Sequence, residues 1–192
     1  MLFRRWFKNE VRFTVIAAAD INGFIDVACS TWERDELSNE GAAGTVNREI
    51  FEWWVENKLC PVLGDYTKGE SRSVVMLDNA STHMSQKVIE LISAVNARVV
   101  FTAPFSPDLN PIENYFSVYK KYLKRNNIAM TANWKKVHWE ALATVDRDMG
   151  IRYFRRCGIP GSNQLKTTEE KNIEEEEAMD IFAMMLIIDE EE

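Results

Sequence analysis

Two short apolar runs, SVVML at 73–77 and RVVFT at 98–102, flank a stretch over about 85–96 in which Val88, Leu91, Ile92 and Val95 recur at helical spacing. Strand, helix and strand in that order give a parallel pair joined by a right-handed crossover. Runs this apolar read as strands buried on both faces, so helices must cover the sheet from both sides. The rest of the chain has to fit that unit.

Upstream, VRFTVIAAA at 11–19 and FIDVACS from 24 are rich in β-formers and are joined through Asn22-Gly23, a hairpin signal in which both turn positions take positive φ. Residues 33–44 hold five charges and two glycines and read as a loop. From Thr45 as N-cap, Val46, Ile50, Trp53, Trp54 and Leu59 predict a helix over 46–59 that ends before Pro61. APFSPDLNP at 103–111 has three prolines in nine residues and can be neither helix nor central strand. A helix then runs from Pro111 to about 125, followed by helical stretches at 133–145 and 147–156. Hairpin, βαβ unit and helical C-terminal part together make a mixed α/β layered fold.

Of 192 residues, 46% are apolar and 28% charged, enough for a packed core. No uncharged apolar run reaches the roughly 18–20 residues of a membrane span, and the basic start lacks the h-region of a secretory signal. A nuclear or cytoplasmic chain is expected. Cys29, Cys60 and Cys157 are odd in number and widely spaced, which suits buried reduced thiols. The six tryptophans, including the adjacent Trp53 and Trp54, are read as core residues rather than base-stacking ones.

The net charge of −7 is unevenly placed. Residues 166–192 carry 11 acidic and 2 basic residues, a net of −9, which leaves 21 basic and 19 acidic residues, +2, in the first 165. The reading is one domain over 1–160 and an acidic, flexible tail over 161–192. The apolar run at 178–188 within that tail is too short to span a membrane and is read as a marginal amphipathic helix or a partner-binding segment.

Asp78 directly follows the strand SVVML, and ligands of open α/β sheets bind beyond the carboxyl ends of strands. Glu113 opens the helix after the second strand of the pair, so the two acids can meet at one sheet edge although 34 residues lie between them. Two carboxylates in one site repel, and Mg²⁺ or Mn²⁺ relieves the repulsion. The alternative is a turn at Asp78-Asn79 and a Glu113 that only complements its helix dipole. On the helix to 125, Ile112, Tyr115, Phe116, Tyr119 and Leu123 form an apolar face, and Glu113, Ser117, Lys120, Lys121 and Lys124 form another. Those lysines are placed to meet a phosphate backbone, the alternative being an ordinary solvated face, above all for Lys121 and Arg125.

DNASTH at 78–83 together with TAPFSPDLNPIENYFSVYKKYLKR at 102–125 resembles the DDE superfamily endonuclease domain of mariner-type transposases, with further similarity over about residues 5–160. The resemblance implies a ribonuclease H-like mixed sheet with flanking helices, N-terminally truncated. It makes Asp78 and Glu113 the second and third catalytic acids. A first catalytic Asp would lie on a strand upstream of 11–19, so both that acid and the strand bridging hairpin and parallel pair are expected to be missing. Asp20, at the hairpin turn, is expected to point away. The implied reaction is Mg²⁺-dependent cleavage and transfer of DNA strands by two metal ions, with Asp78 bridging both and Glu113 holding one. His83 and Asn110 become accessory residues, His83 by its place in the motif and Asn110 by aiming Glu113. His138 is read as structural or surface. DNA is the implied partner, with a homo-oligomer as in related transposases.

Overall fold

The computed structural model describes residues 13–33, 46–167 and 182–188. Strands β1 (Phe13–Asp20), β2 (Gly23–Phe24) and β3 (Ser30–Glu33) come first, then helix α1 (Arg48–Trp54). The crossover unit is β4 (Val74–Leu77), α2 (Gln86–Ala94) and β5 (Arg98–Phe101). Helices α3 (Ile112–Arg125), α4 (Asn127–Leu142) and α5 (Arg147–Arg156) follow, and β6 (Phe182–Ile188) is last. The α/β class expected from the sequence is what the chain adopts: one mixed sheet of order β2-β1-β6-β4-β5, with β3 also on β1, flanked by helices.

Alternation along β1 divides the core. Val15, Ala17 and Ala19 pack with Ile112, Tyr115, Phe116, Leu142, Ile151 and Phe154 on one face. Ile16 and Ala18 pack with Phe51, Trp54, Val88 and Ile92 on the other. The same alternation holds on β4, where Met76 joins the first cluster and Val75 and Leu77 the second. Trp54 is buried and donates its indole N–H to Ala28 O at 3.1 Å, whereas Trp53 is exposed and meets Trp32 edge to face. Among the described residues no helix is long and apolar enough to cross a membrane.

Several local expectations are corrected. The hairpin forms, but of its Asn-Gly pair only Gly23 has positive φ, at 126°, and the turn is held by Asp20 Oδ1 accepting from the Asn22 N–H at 2.7 Å. Of the loop expected over 33–44, Glu33 instead ends β3, and residues 34–44, with Thr45, lie outside the described residues. Asn47 caps α1, its Oδ1 accepting from the Ile50 N–H at 2.9 Å. Winding continues past Trp54 as a wide turn over Val55–Leu59 and a 3-10 turn over Cys60–Val62, so Pro61 does not end it. Strand β5 pairs only with β4 among the described strands, and Arg98 and Val100 are exposed, so it is an edge and not a buried strand. In α4, Asn133 leaves helical geometry (φ −153°, ψ 77°), and its Oδ1 accepts from the Lys136 N–H, so the helix expected from 133 begins at a real break.

The largest correction is β6. It lies between β1 and β4, antiparallel to the first and parallel to the second. In register, Ala17, Ala18 and Ala19 stand opposite Leu186, Met185 and Met184, and Met184 also stands opposite Met76. The bridging strand expected to be missing is thus supplied by residues 182–188 of the apolar run, which form a strand and neither a helix nor a free partner-binding segment, while 178–181 lie outside the described residues. The physical reason is the two facing edges of β1 and β4, whose N–H and C=O groups would otherwise be buried without partners.

Candidate functional site

The parallel pairing of β4 with β5 brings their carboxyl ends to one sheet edge, and two loops leave from there. They are tied together around Asp78. The Thr102 N–H donates to Leu77 O at 2.9 Å, and the Asn79 side-chain amide donates to Thr102 O at 2.6 Å. Residues bonded to Thr102 therefore flank Asp78 on both sides. Sequence alone marks Asn79 as a turn residue, and its place beside the acid is the one local signal of this clamp.

Asp78 is 39% exposed, and its Oδ1 accepts from the Ala80 N–H at 2.9 Å and from His83 Nδ1 at 2.5 Å. His83 is buried against Phe51, ring centroids 4.7 Å apart. Donation from Nδ1 leaves Nε2 the acceptor nitrogen, and it has no hydrogen-bond partner among the described residues. Burial pushes the Asp78 carboxyl up, but the His83 hydrogen bond and the Ala80 N–H outweigh it and hold the group below its ordinary value. Asp78 is thereby kept ionised.

Glu113 sits in the first turn of α3. Asn110, buried, sets that helix start: its carbonyl accepts from the Glu113 N–H at 3.2 Å and its Oδ1 from the Ile112 N–H at 3.4 Å. The pKa of Glu113 is raised, first by burial and also by the negative charge of Asp78, with Lys120 acting in the other direction. The two acids and Lys120 thus share one electrostatic neighbourhood. Lys120 is half-buried, while Lys121 and Lys124 are exposed further along α3.

The other acids are elsewhere. Asp20, buried, pairs with Arg72 Nε at 2.7 Å, and Arg72 precedes β4 whereas Asp78 follows it, so Asp20 stands at the opposite end of the sheet. Asp26 is exposed at a 3-10 turn, and Asp108 is exposed on the loop before Asn110. Among the described residues no three His, Cys, Asp or Glu side chains group to hold a metal ion. His138 is buried and structural, between Thr31 Oγ1 at 2.7 Å and the Tyr119 hydroxyl at 2.8 Å. The three cysteines are free; burial, with Asp26 beside it, pushes Cys29 up to about 12, and burial raises Cys60 to about 11.

Residues 27–133 match the family DDE superfamily endonuclease, a segment that includes Asp78, His83, Asn110, Glu113, Lys120, Lys121 and Lys124. No curated protein and no solved structure matches the chain. Because that segment is more than half of the chain and carries both loops of the carboxylate edge, the chain belongs to the DDE superfamily of endonucleases.

Proposed function

We propose that the chain is a mariner-type, transposase-derived DNA endonuclease domain that binds DNA at the Asp78–Glu113 edge and has impaired turnover. What supports this is that Asp78 follows β4, Glu113 opens α3 and the charge of Asp78 acts on Glu113, all inside the matched segment. Asp78 and Glu113 would hold Mg²⁺ or Mn²⁺, with water completing the shell. Such an ion polarises a phosphoryl oxygen and activates water. The two carboxylates at this edge among the described residues suit one hydrated ion and not the pair that in-line strand transfer uses, which supports impaired turnover. Asp20 does not make up the set, because Arg72 holds it at the far end of the sheet.

The remaining residues have supporting roles. His83 orients and ionises Asp78, Asn110 sets the start of the helix carrying Glu113, and Lys120, Lys121 and Lys124 meet the phosphate backbone. The proposed setting is nuclear or cytoplasmic, as a homo-oligomer. A second reading, a non-catalytic DNA- or protein-binding domain, keeps the same surface without turnover.

Titration with Mn²⁺, followed by its paramagnetic signal, tests the site. Weak binding that Asp78→Asn weakens further is expected, with no nicking of supercoiled DNA. Metal-dependent nicking that vanishes in both Asp78→Asn and Glu113→Gln would overturn impaired turnover. Absence of DNA binding would overturn the DNA reading.

A further inference from the structure

The large apolar side chains exposed among the described residues are Val27, Trp53, Met84, Val100, Phe105, Leu109 and Trp139. Met84, Phe105 and Leu109 all sit on the two loops that leave the carboxyl ends of β4 and β5, the loops that frame Asp78 and Glu113. Phe105 is the extreme case, with its ring wholly exposed at 104%. Its backbone is also in the left-handed region, at φ 56°, which is sterically disfavoured for a bulky L-residue. Both the exposure and the backbone are unfavourable for the free chain, and such strain gathers at functional positions.

The loop is built to hold this conformation. Pro104 and Pro107 fix φ on either side of Phe105 and Ser106. The Ser106 hydroxyl donates to Pro104 O at 3.2 Å, and Ser106 O accepts from the Leu109 N–H at 3.1 Å. The ring's position follows from the chain. Phe105 is three residues after Thr102, which is bonded to both neighbours of Asp78, and five before Asn110, whose carbonyl holds the Glu113 N–H. Its loop therefore links the residue bonded on both sides of Asp78 to the residue that holds the Glu113 N–H.

A partner for this ring must offer a flat apolar face next to a phosphate drawn toward Lys120. A nucleobase does so, and its face is free only where the base is unpaired or unstacked. We propose that Phe105 is a stacking platform for an unpaired base of the DNA strand whose backbone lies at the Asp78–Glu113 edge. The proposal rests on the DNA reading above and specifies the form of DNA taken at that site.

The test uses the full chain and a short single-stranded oligonucleotide carrying one 2-aminopurine, beside the matching duplex. Phe105→Leu keeps an apolar side chain but removes the π face. It is expected to bind the single strand roughly 5- to 150-fold more weakly, the range for loss of one stacked base. Phe105→Tyr should stay within about twofold, since it keeps the ring. Binding should quench 2-aminopurine in the parent and in Phe105→Tyr but not in Phe105→Leu, with duplex affinity much less affected. Phe105→Gly, which relieves the backbone, should melt no lower than the parent while binding the single strand poorly.

Equal single-strand affinity and equal quenching in the parent and Phe105→Leu would overturn stacking while leaving DNA binding intact. Equal weakening of single strand and duplex would also overturn it, as would a dimer that Phe105→Ser dissociates with no change in DNA affinity. No DNA binding by the parent would instead remove the reading on which the proposal rests.

Discussion

His138 shows what burial does to an ionisable ring. Its two nitrogens are engaged by Thr31 and Tyr119, its ring lies among Phe13, Trp134 and Trp139, and desolvation lowers its pKa from 6.5 to about 4. In the unfolded chain the ring takes a proton as pH falls through 6.5, and in the folded chain only near 4. Its contribution to stability is therefore complete above pH 6.5 and is lost as pH falls toward 4, by up to about 3 kcal/mol. Urea unfolding at pH 7 and pH 4.5 should show a larger loss in the parent than in His138→Gln, which cannot protonate; parallel losses would contradict this. Gly150 offers a test of packing. An added Cβ would meet Ile21 O at 2.2 Å and the Tyr115 hydroxyl at 2.7 Å, and that hydroxyl already donates to Asp20 O at 2.7 Å. Alanine usually stabilises a helix relative to glycine by about 1 kcal/mol. Here Gly150→Ala should instead destabilise by about 1–3 kcal/mol in a thermal melt, because backbone and a bonded hydroxyl cannot step aside.

At the scale of elements, the local patterns were legible and the long-range one was not. SVVML, the helical period after it, the Asn-Gly hairpin and Pro111 each announce themselves within a few residues, and β4, α2, the β1–β2 turn and α3 stand where they point. The candidate site was legible as a position, because Asp78 follows β4 and Glu113 opens the helix after β5, and these strands run parallel. Strand β5 was misjudged because RVVF has the composition of a central strand, and exposure depends on what lies beside it. Strand β6 was misjudged because FAMMLII has no alternation, and a short apolar run between acids does not distinguish strand from helix. Its partners lie far back in the chain, so nothing local marks them. A direct check is Met184→Pro, which removes an N–H and forces the backbone of a residue in register with both Ala19 and Met76. It should cost at least about 1–3 kcal/mol in denaturant unfolding, the penalty of leaving a ladder carbonyl unpaired; an unchanged midpoint would mean that β6 is not part of the sheet.

For the whole molecule, charge and topology act together. The first 165 residues are mildly basic at +2, the remainder is −9, and β6 runs parallel to β4 toward the end of the sheet where Asp78 sits. Residues 189–192, DEEE, follow β6 directly in the sequence, whereas 174–177, EEEE, precede it. Neutralising 189–192 as amides should tighten DNA binding severalfold at low salt and more than neutralising 174–177, although each removes four charges. The difference should shrink as salt rises above about 0.15 M, where screening acts within about 8 Å. Equal effects of the two variants would reduce the tail to its net charge. The place of β6 in the sheet also has a consequence for synthesis. The strand in the middle of the sheet is the last of the six to leave the ribosome, so β1 and β4 emerge with facing edges that nothing yet joins. A nascent chain remains open along its centre until residues 182–188 are made, and products that stop before them keep two unpaired strand edges ready to pair with one another.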